Sequence, residues 1–251
     1  MMRGSRKHIL DWVSQKNFST EFIELINLRE CTSGVSPVWQ PNDKNSDEIR
    51  LENNGDLLIS GTNCWRNLAQ WWLVHRSGAN KPNWDLVYAC NIFGKRGLVL
   101  VEAKAHEREL DWAGKRRRSD ATLRSHENHE RIGKAIAEAK DAVYAIIPGV
   151  NLSRGTHYQL ANRVAYSWKI ASMGIPVILL YLGFTGDEGI GDVGIPIEND
   201  DHWKRVMREY TKNILPEDFP ETSLDCGNAS MKMIVRSRAV LQQSPRKYNN
   251  K

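Results

Sequence analysis

The apolar positions of this chain fall into helical blocks separated by short, dense apolar runs. Over 8–29, Ile9, Leu10 and Val13 make one face, and Phe22, Ile23, Leu25, Ile26 and Leu28 make a denser one. That spacing predicts one or two helices, with Ser19 as an N-cap. Residues 31–47 are rich in Pro, Ser, Asn and Asp and read as loop. Segments 48–52 and 57–60, joined through Asn53-Asn54-Gly55-Asp56, read as a small hairpin. Trp65, Leu68, Ala69, Trp72 and Leu73 recur at helical spacing, which predicts a helix over 63–76 capped by Thr62 or Asn63. Trp71 falls off that apolar stripe.

Two apolar runs follow, 86–93 and 98–101, around Gly94-Lys95-Arg96-Gly97, and predict a β-hairpin. The mixed-charge stretch 105–118 reads as a mobile loop ending in four bases. Ile132, Ala135, Ile136, Ala139, Val143 and Ile146 predict a long helix over 120–146, capped by Ser119 and stopped by Pro148-Gly149. A second helix spans 156–173, and the continuous apolar run 176–184 predicts a central strand covered on both faces. Residues 201–213 read as helix, and 231–241 as a short strand or helix.

The hairpin carries the candidate chemistry. Asp85 opens its first strand, and Glu102-Ala103-Lys104 closes its second. Residues two apart on a strand share a face, so Glu102 and Lys104 project side by side. With 94–97 as the turn, Phe93 opposes Leu98 and Asp85 opposes His106, on the same face as Glu102. Asp85 then lies about four residues, or ~13 Å, along the strand from Glu102. To bring the two acids onto one ion requires a bulge, a strong twist or a turn centred nearer Phe93. Paired carboxylates suit Mg²⁺, which takes oxygen ligands, generates hydroxide and clamps a phosphate. A lysine beside it orients water and offsets developing charge. The plain alternative is an ordinary exposed hairpin with charged ends.

Acid, apolar strand, turn, apolar strand, then acid-small-Lys, with helices on both sides, resembles the PD-(D/E)XK nuclease superfamily, the restriction-endonuclease-like fold. The resemblance is at motif level over about residues 60–184. It implies an α/β fold: an αβββαβ core with a mixed central sheet flanked by helices, here with an N-terminal helical extension. Asp85 and Glu102 would be the acids, Lys104 the lysine and Gln159 a polar helper on a following helix. The metal, Mg²⁺ or Mn²⁺, would be held by Asp85, Glu102 and the Ala103 carbonyl. The chain departs from the pattern in having Trp84 where Pro is usual, and no acid within 63–76. The domain reading is a helical extension and loop over 1–47, the nuclease-like domain over 48–215 and a basic tail over 216–251.

Composition narrows the class. At 251 residues and 41% hydrophobic the chain holds one sizeable domain, and no apolar run approaches the ~20 residues of a membrane span. Asp11 and Gln15 interrupt any signal-peptide core, so an intracellular protein is expected. The four cysteines lack C-x-x-C spacing, which argues against a zinc site. The net charge is +5, and the six bases after Asp225 leave residues 1–225 at −1. Basic charge is therefore local, in the tail and in Lys115-Arg116-Arg117-Arg118, which are the candidate contacts to a nucleic-acid backbone.

Two other motifs carry less. His126-Glu127-Asn128-His129-Glu130 lacks the spacing of a zinc-protease helix. Gly189-x-Gly191-x-x-Gly194 matches a dinucleotide fingerprint, but no helix opens within the glycines, as pyrophosphate binding needs. The leading expectation is a metal-dependent nuclease acting on DNA, with RNA and a homodimer left open. The alternative is a catalytically silent module of the same fold that binds nucleic acid or a protein partner.

Overall fold

The predicted hairpin is the spine of the sheet. The computed structural model describes residues 3–34, 36–43, 47–61, 63–77, 79, 81–116, 120–192 and 194–240. Among these, β3 (Leu86–Ile92) and β4 (Lys95–Lys104) pair antiparallel. Strand β5 (Val177–Thr185) lies parallel beside β4, and β7 (Ser230–Ala239) parallel beside β5. Strand β6 (Ser223–Asp225) closes one edge on β7. Two short strands, β1 (Cys31–Thr32) and β2 (Val38–Gln40), pair with β3 at the other side. The result is an α/β protein with a mixed seven-stranded sheet.

Helices cover both faces. On one face α1 (Ser5–Val13) and α2 (Phe18–Ile26) pack Trp12, Phe18 and Phe22 against Leu86, Tyr88, Val99, Val101 and Leu180. The other face carries α3 (Leu51–Leu58), α4 (Cys64–Trp72), α5 (Leu123–Ile146), α6 (Tyr158–Ser172) and α7 (Asp200–Thr211) over Val87, Leu98, Leu100, Leu179 and Met233. Strand alternation sends odd and even positions of β4 to these two layers. Strand β5 is buried along its whole length, as its unbroken apolar run predicts.

Several expectations are corrected. The segment read as a small hairpin, 48–60, is largely helix α3, which buries Leu51, Gly55 and Leu58 at helical spacing. Gly55 lies so close to the Trp65 ring that an added Cβ would sit 2.4 Å from it, so a packing contact, not a turn, explains that glycine. The loop-like 31–47 contributes β1 and β2. Trp71, placed off the stripe, is buried: its Nε1 donates to Glu138 at 2.9 Å and its ring meets Trp168. Ser19 lies inside α2, whose N-cap is Asn17, and its hydroxyl meets the Tyr88 hydroxyl at 2.5 Å. Thr122 caps α5 by accepting from the Ser125 N–H. Thr62 and Ser119, the other cap candidates, lie outside the described residues.

The largest correction is at the C-terminus. Residues read as a basic tail from 216 onward include β6 and β7, which belong to the same sheet as the hairpin. Lys232, Arg236 and Arg238 are not a free basic surface but pair with Glu30, Glu221 and Glu21. The N-terminal segment is likewise integral, supplying two strands and one helical layer. No helix among the described residues is long and apolar enough to cross a membrane.

Candidate active site

The turn decides the site. Ile92 pairs with Lys95, leaving Phe93 and Gly94 as a two-residue turn with φ of 50° and 75°. Positive φ at both central residues matches the right-handed strand twist, which is why such turns join hairpins. Pairing then runs uninterrupted to Leu86 opposite Val101, so Asp85, just before Leu86, lies beside Val101–Ala103 rather than opposite His106. The Asp85 N–H donates to the Val101 carbonyl at 3.2 Å, and its Oδ2 accepts from the Ala103 N–H at 2.7 Å. Of the three remedies for the separation of the two acids, a turn nearer Phe93 is the one realised.

Glu102 and Lys104 point to the helical layer that holds α6, and both are buried. Lys104 Nζ donates to Glu102 Oε1 at 2.5 Å. Arg163, one turn beyond Gln159 on α6, donates from Nε to Glu102 Oε2 at 2.6 Å and from Nη1 to Asn162 at 3.0 Å. Its guanidinium lies 4.7 Å over the Trp84 ring. Burial by itself raises the Glu102 carboxyl, but the charges of Arg163 and Lys104 prevail and hold it below the ordinary carboxylate value. Asp85 behaves oppositely: burial and the Glu102 charge push it up to about 7, against the pull of Lys104.

These groups line one cavity of about 490 Å³, together with Gln159, Lys81 and Lys115. Gln159 Oε1 is buried there without a hydrogen-bond partner. Lys115 Nζ sits 4.8 Å over the Tyr158 ring. Of the predicted basic run, Lys115 therefore reaches the cavity, Arg116 is exposed, and Arg117 and Arg118 lie outside the described residues. The segment 105–116, expected to be mobile, is pinned. Glu109 accepts from the Ala105 N–H at 2.6 Å and from Ser5, and Ala113 bridges to Thr156. In the histidine-rich stretch, Asn128 is buried and binds the backbone of His75 and Ser77, while His129 meets the Lys115 carbonyl.

The donor chemistry fits a hard divalent cation. Five carboxylates line the cavity, Glu48, Asp85, Glu102, Glu109 and Asp111, and Asp85 is raised first by burial and then by the Glu102 charge, the part that an added cation relieves. Backbone alternation turns the polar groups of Val101 and Ala103 toward Asp85, so the Ala103 carbonyl lies on that side. Among the described residues no group of three or more His, Cys, Asp or Glu side chains is arranged to hold a metal. A bound ion would draw its remaining ligands from water and substrate, as Mg²⁺ commonly does.

Asp85, Glu102, Ala103, Lys104, Gln159 and Lys115 thus share one cavity. Sequence reading missed Arg163 and Trp84. The available signal for Arg163 was its position four residues beyond Gln159, on the same helix face. No family model, curated protein or solved structure matches the chain.

Proposed function

We propose that this protein is a metal-dependent nuclease that hydrolyses DNA phosphodiester bonds on a restriction-endonuclease-like core. The observation that carries the reading is Asp85, Glu102 and Lys104 lining one cavity, with Asp85 bonded to the Ala103 N–H between the other two. The hairpin flanked by helices and β5 parallel to β4 support it, while two strands, β3 and β4, stand between α4 and α5 where the αβββαβ order has three.

Bound Mg²⁺ or Mn²⁺ would polarise the phosphate and lower the pKa of a coordinated water. Asp85, Glu102 and the Ala103 carbonyl would hold it. Lys104, a buried ammonium 2.5 Å from Glu102, orients the attacking water and meets charge developing on the phosphate. Gln159 Oε1, a buried acceptor without a partner that lines the same cavity, would accept a proton of that water. Arg163 keeps Glu102 ionised and in position, and Lys115 brings positive charge to the cavity mouth.

The test is cleavage of plasmid DNA by clean protein with Mn²⁺, alongside DNA binding in EDTA. Glu102→Gln and Lys104→Ala are expected to lower the cleavage rate at least ~100-fold, beyond the loss of an outer-shell partner, while binding survives. Equal cleavage by wild type and both variants would remove the assignment. One observation favours the second reading, a binding module without catalysis: both Glu102 oxygens already hold cations, Lys104 and Arg163. Calorimetry with Mn²⁺ separates the two, since the binding module gives no heat that Asp85→Ala abolishes.

A further inference from the structure

A second cavity, of about 690 Å³, opens beside the first. Four cations line it, Arg50, Arg76, Lys81 and Lys115, against one carboxylate, Glu52. That carboxylate is already engaged, 3.3 Å from Lys81. Lys81 and Lys115 line both cavities, so the two are continuous across a pair of ammonium groups. Helix α3 begins here, and its N-cap Arg50 makes no side-chain hydrogen bond to the first turn. An N-terminus left open in this way adds partial positive charge and amide donors to the same wall. Arg50 Nε donates to Asn83 Oδ1 at 2.8 Å, which anchors the guanidinium at the rim between the cavities.

A third cavity, of about 860 Å³, shares Arg50 and Asn53 with this one, but its other cation, Arg6, is spent internally. There Arg6 faces Asp47 at 3.7 Å and Glu48 at 3.5 Å. Positive potential therefore runs in one direction from the acids, toward Arg76.

We infer that the Arg50–Arg76–Lys81–Lys115 cavity binds a phosphate of the same nucleic-acid strand whose scissile phosphate lies at Asp85 and Glu102. The inference rests on the nuclease reading for the position of the scissile phosphate, and on the cavity alone for binding. Backbone phosphates repeat along a strand, so a cationic cavity adjoining the one that holds Asp85 and Glu102 suits contact with a neighbouring phosphate.

The test uses the full chain in EDTA and a fluorescein-labelled single-stranded oligodeoxynucleotide, followed by anisotropy at several salt concentrations. Arg50→Glu/Arg76→Glu, both on exposed side chains, is expected to weaken binding about tenfold or more. Loss of two phosphate contacts is expected to lower the log–log salt slope by about 1.4. Arg76→Ala alone gives the same direction at smaller size. Mn²⁺ heat on the double variant should equal that of wild type, showing the acid site intact. If wild type gives no Mn²⁺ heat but the double variant loses the oligonucleotide, the nuclease reading fails and the subsite stands. Wild-type affinity and salt slope in the double variant would overturn the inference. Tripolyphosphate bound as tightly as the oligonucleotide would also overturn it, by making the ligand a free polyphosphate.

Discussion

The two faces of one hairpin carry opposite chemistry. Toward α1 and α2, strand β4 presents Val99, Val101 and Ala103, and β3 presents Leu86 and Tyr88, sealed under Trp12, Phe18 and Phe22. One residue along, the other face places Glu102 and Lys104 against Arg163, at the end of an apolar layer of Leu98 and Leu100. The dry face holds the sheet; the wet end of the other face holds charge. Burying that charge is tolerable only because each member has a partner. The two-residue period of a strand thus separates the apolar packing from the buried charges.

The sharpest way to break the comparison is on the dry side. Phe22→Ala removes a fully buried ring that meets Phe18, Trp12 and Tyr88. Urea unfolding is expected to show a loss of about 4 kcal/mol, and under the proposed nuclease function cleavage per folded molecule is expected to stay unchanged. A change in cleavage per folded molecule would mean that the faces are coupled.

On the other face, Arg163→Met leaves Glu102 with Lys104 as its remaining cation and is expected to cost about 2 kcal/mol. Adding Glu102→Gln and Lys104→Met should recover most of that, because no charge of the buried triad is then left unpaired. A triple variant as unstable as the single one would make Arg163 a packing residue.

The smallest effect is in pH. Asp85 is raised from 3.8 to about 7. The folded state thus binds the proton more tightly than the unfolded state does, and this stabilisation is complete at low pH. It is lost as pH rises from about 4 through about 7. Without metal, Asp85→Asn should raise the thermal midpoint above pH 7 and lose that advantage as pH falls through about 7 toward 4. Glu102 has the opposite sign, being held low by Arg163 and Lys104, so its contribution fades in acid. An Asp85→Asn gain that stays constant with pH would place the effect outside the carboxyl.

Legibility followed locality. The hairpin, the buried strand β5, α5, α6 and α7 all show in their apolar spacing, because each buries one face against one layer. The turn was ambiguous: Gly94 and Gly97 both invite a bend, and a phenylalanine at positive φ is not a sequence signal. Phe93 is held there by its N–H donating to Glu30 at 2.8 Å, a contact from outside the hairpin. Strand β7 was legible only as a short strand or helix over 231–241, and its place in the sheet was hidden because the acids that pair with Lys232 and Arg238 lie about two hundred residues earlier. Helix α3 was hidden by an Asn-Asn-Gly-Asp run whose glycine answers to the Trp65 ring.

By itself the sequence determined which side chains share a face. Alternation along β4 commits Glu102 and Lys104 to one side whatever else the chain does, since backbone sterics set that period locally. Tertiary structure alone decided how far along the strand Asp85 meets them, that Arg163 arrives from a separate helix, and that the C-terminal bases join the sheet. Those outcomes depend on packing between segments distant in the chain, and no local preference encodes them.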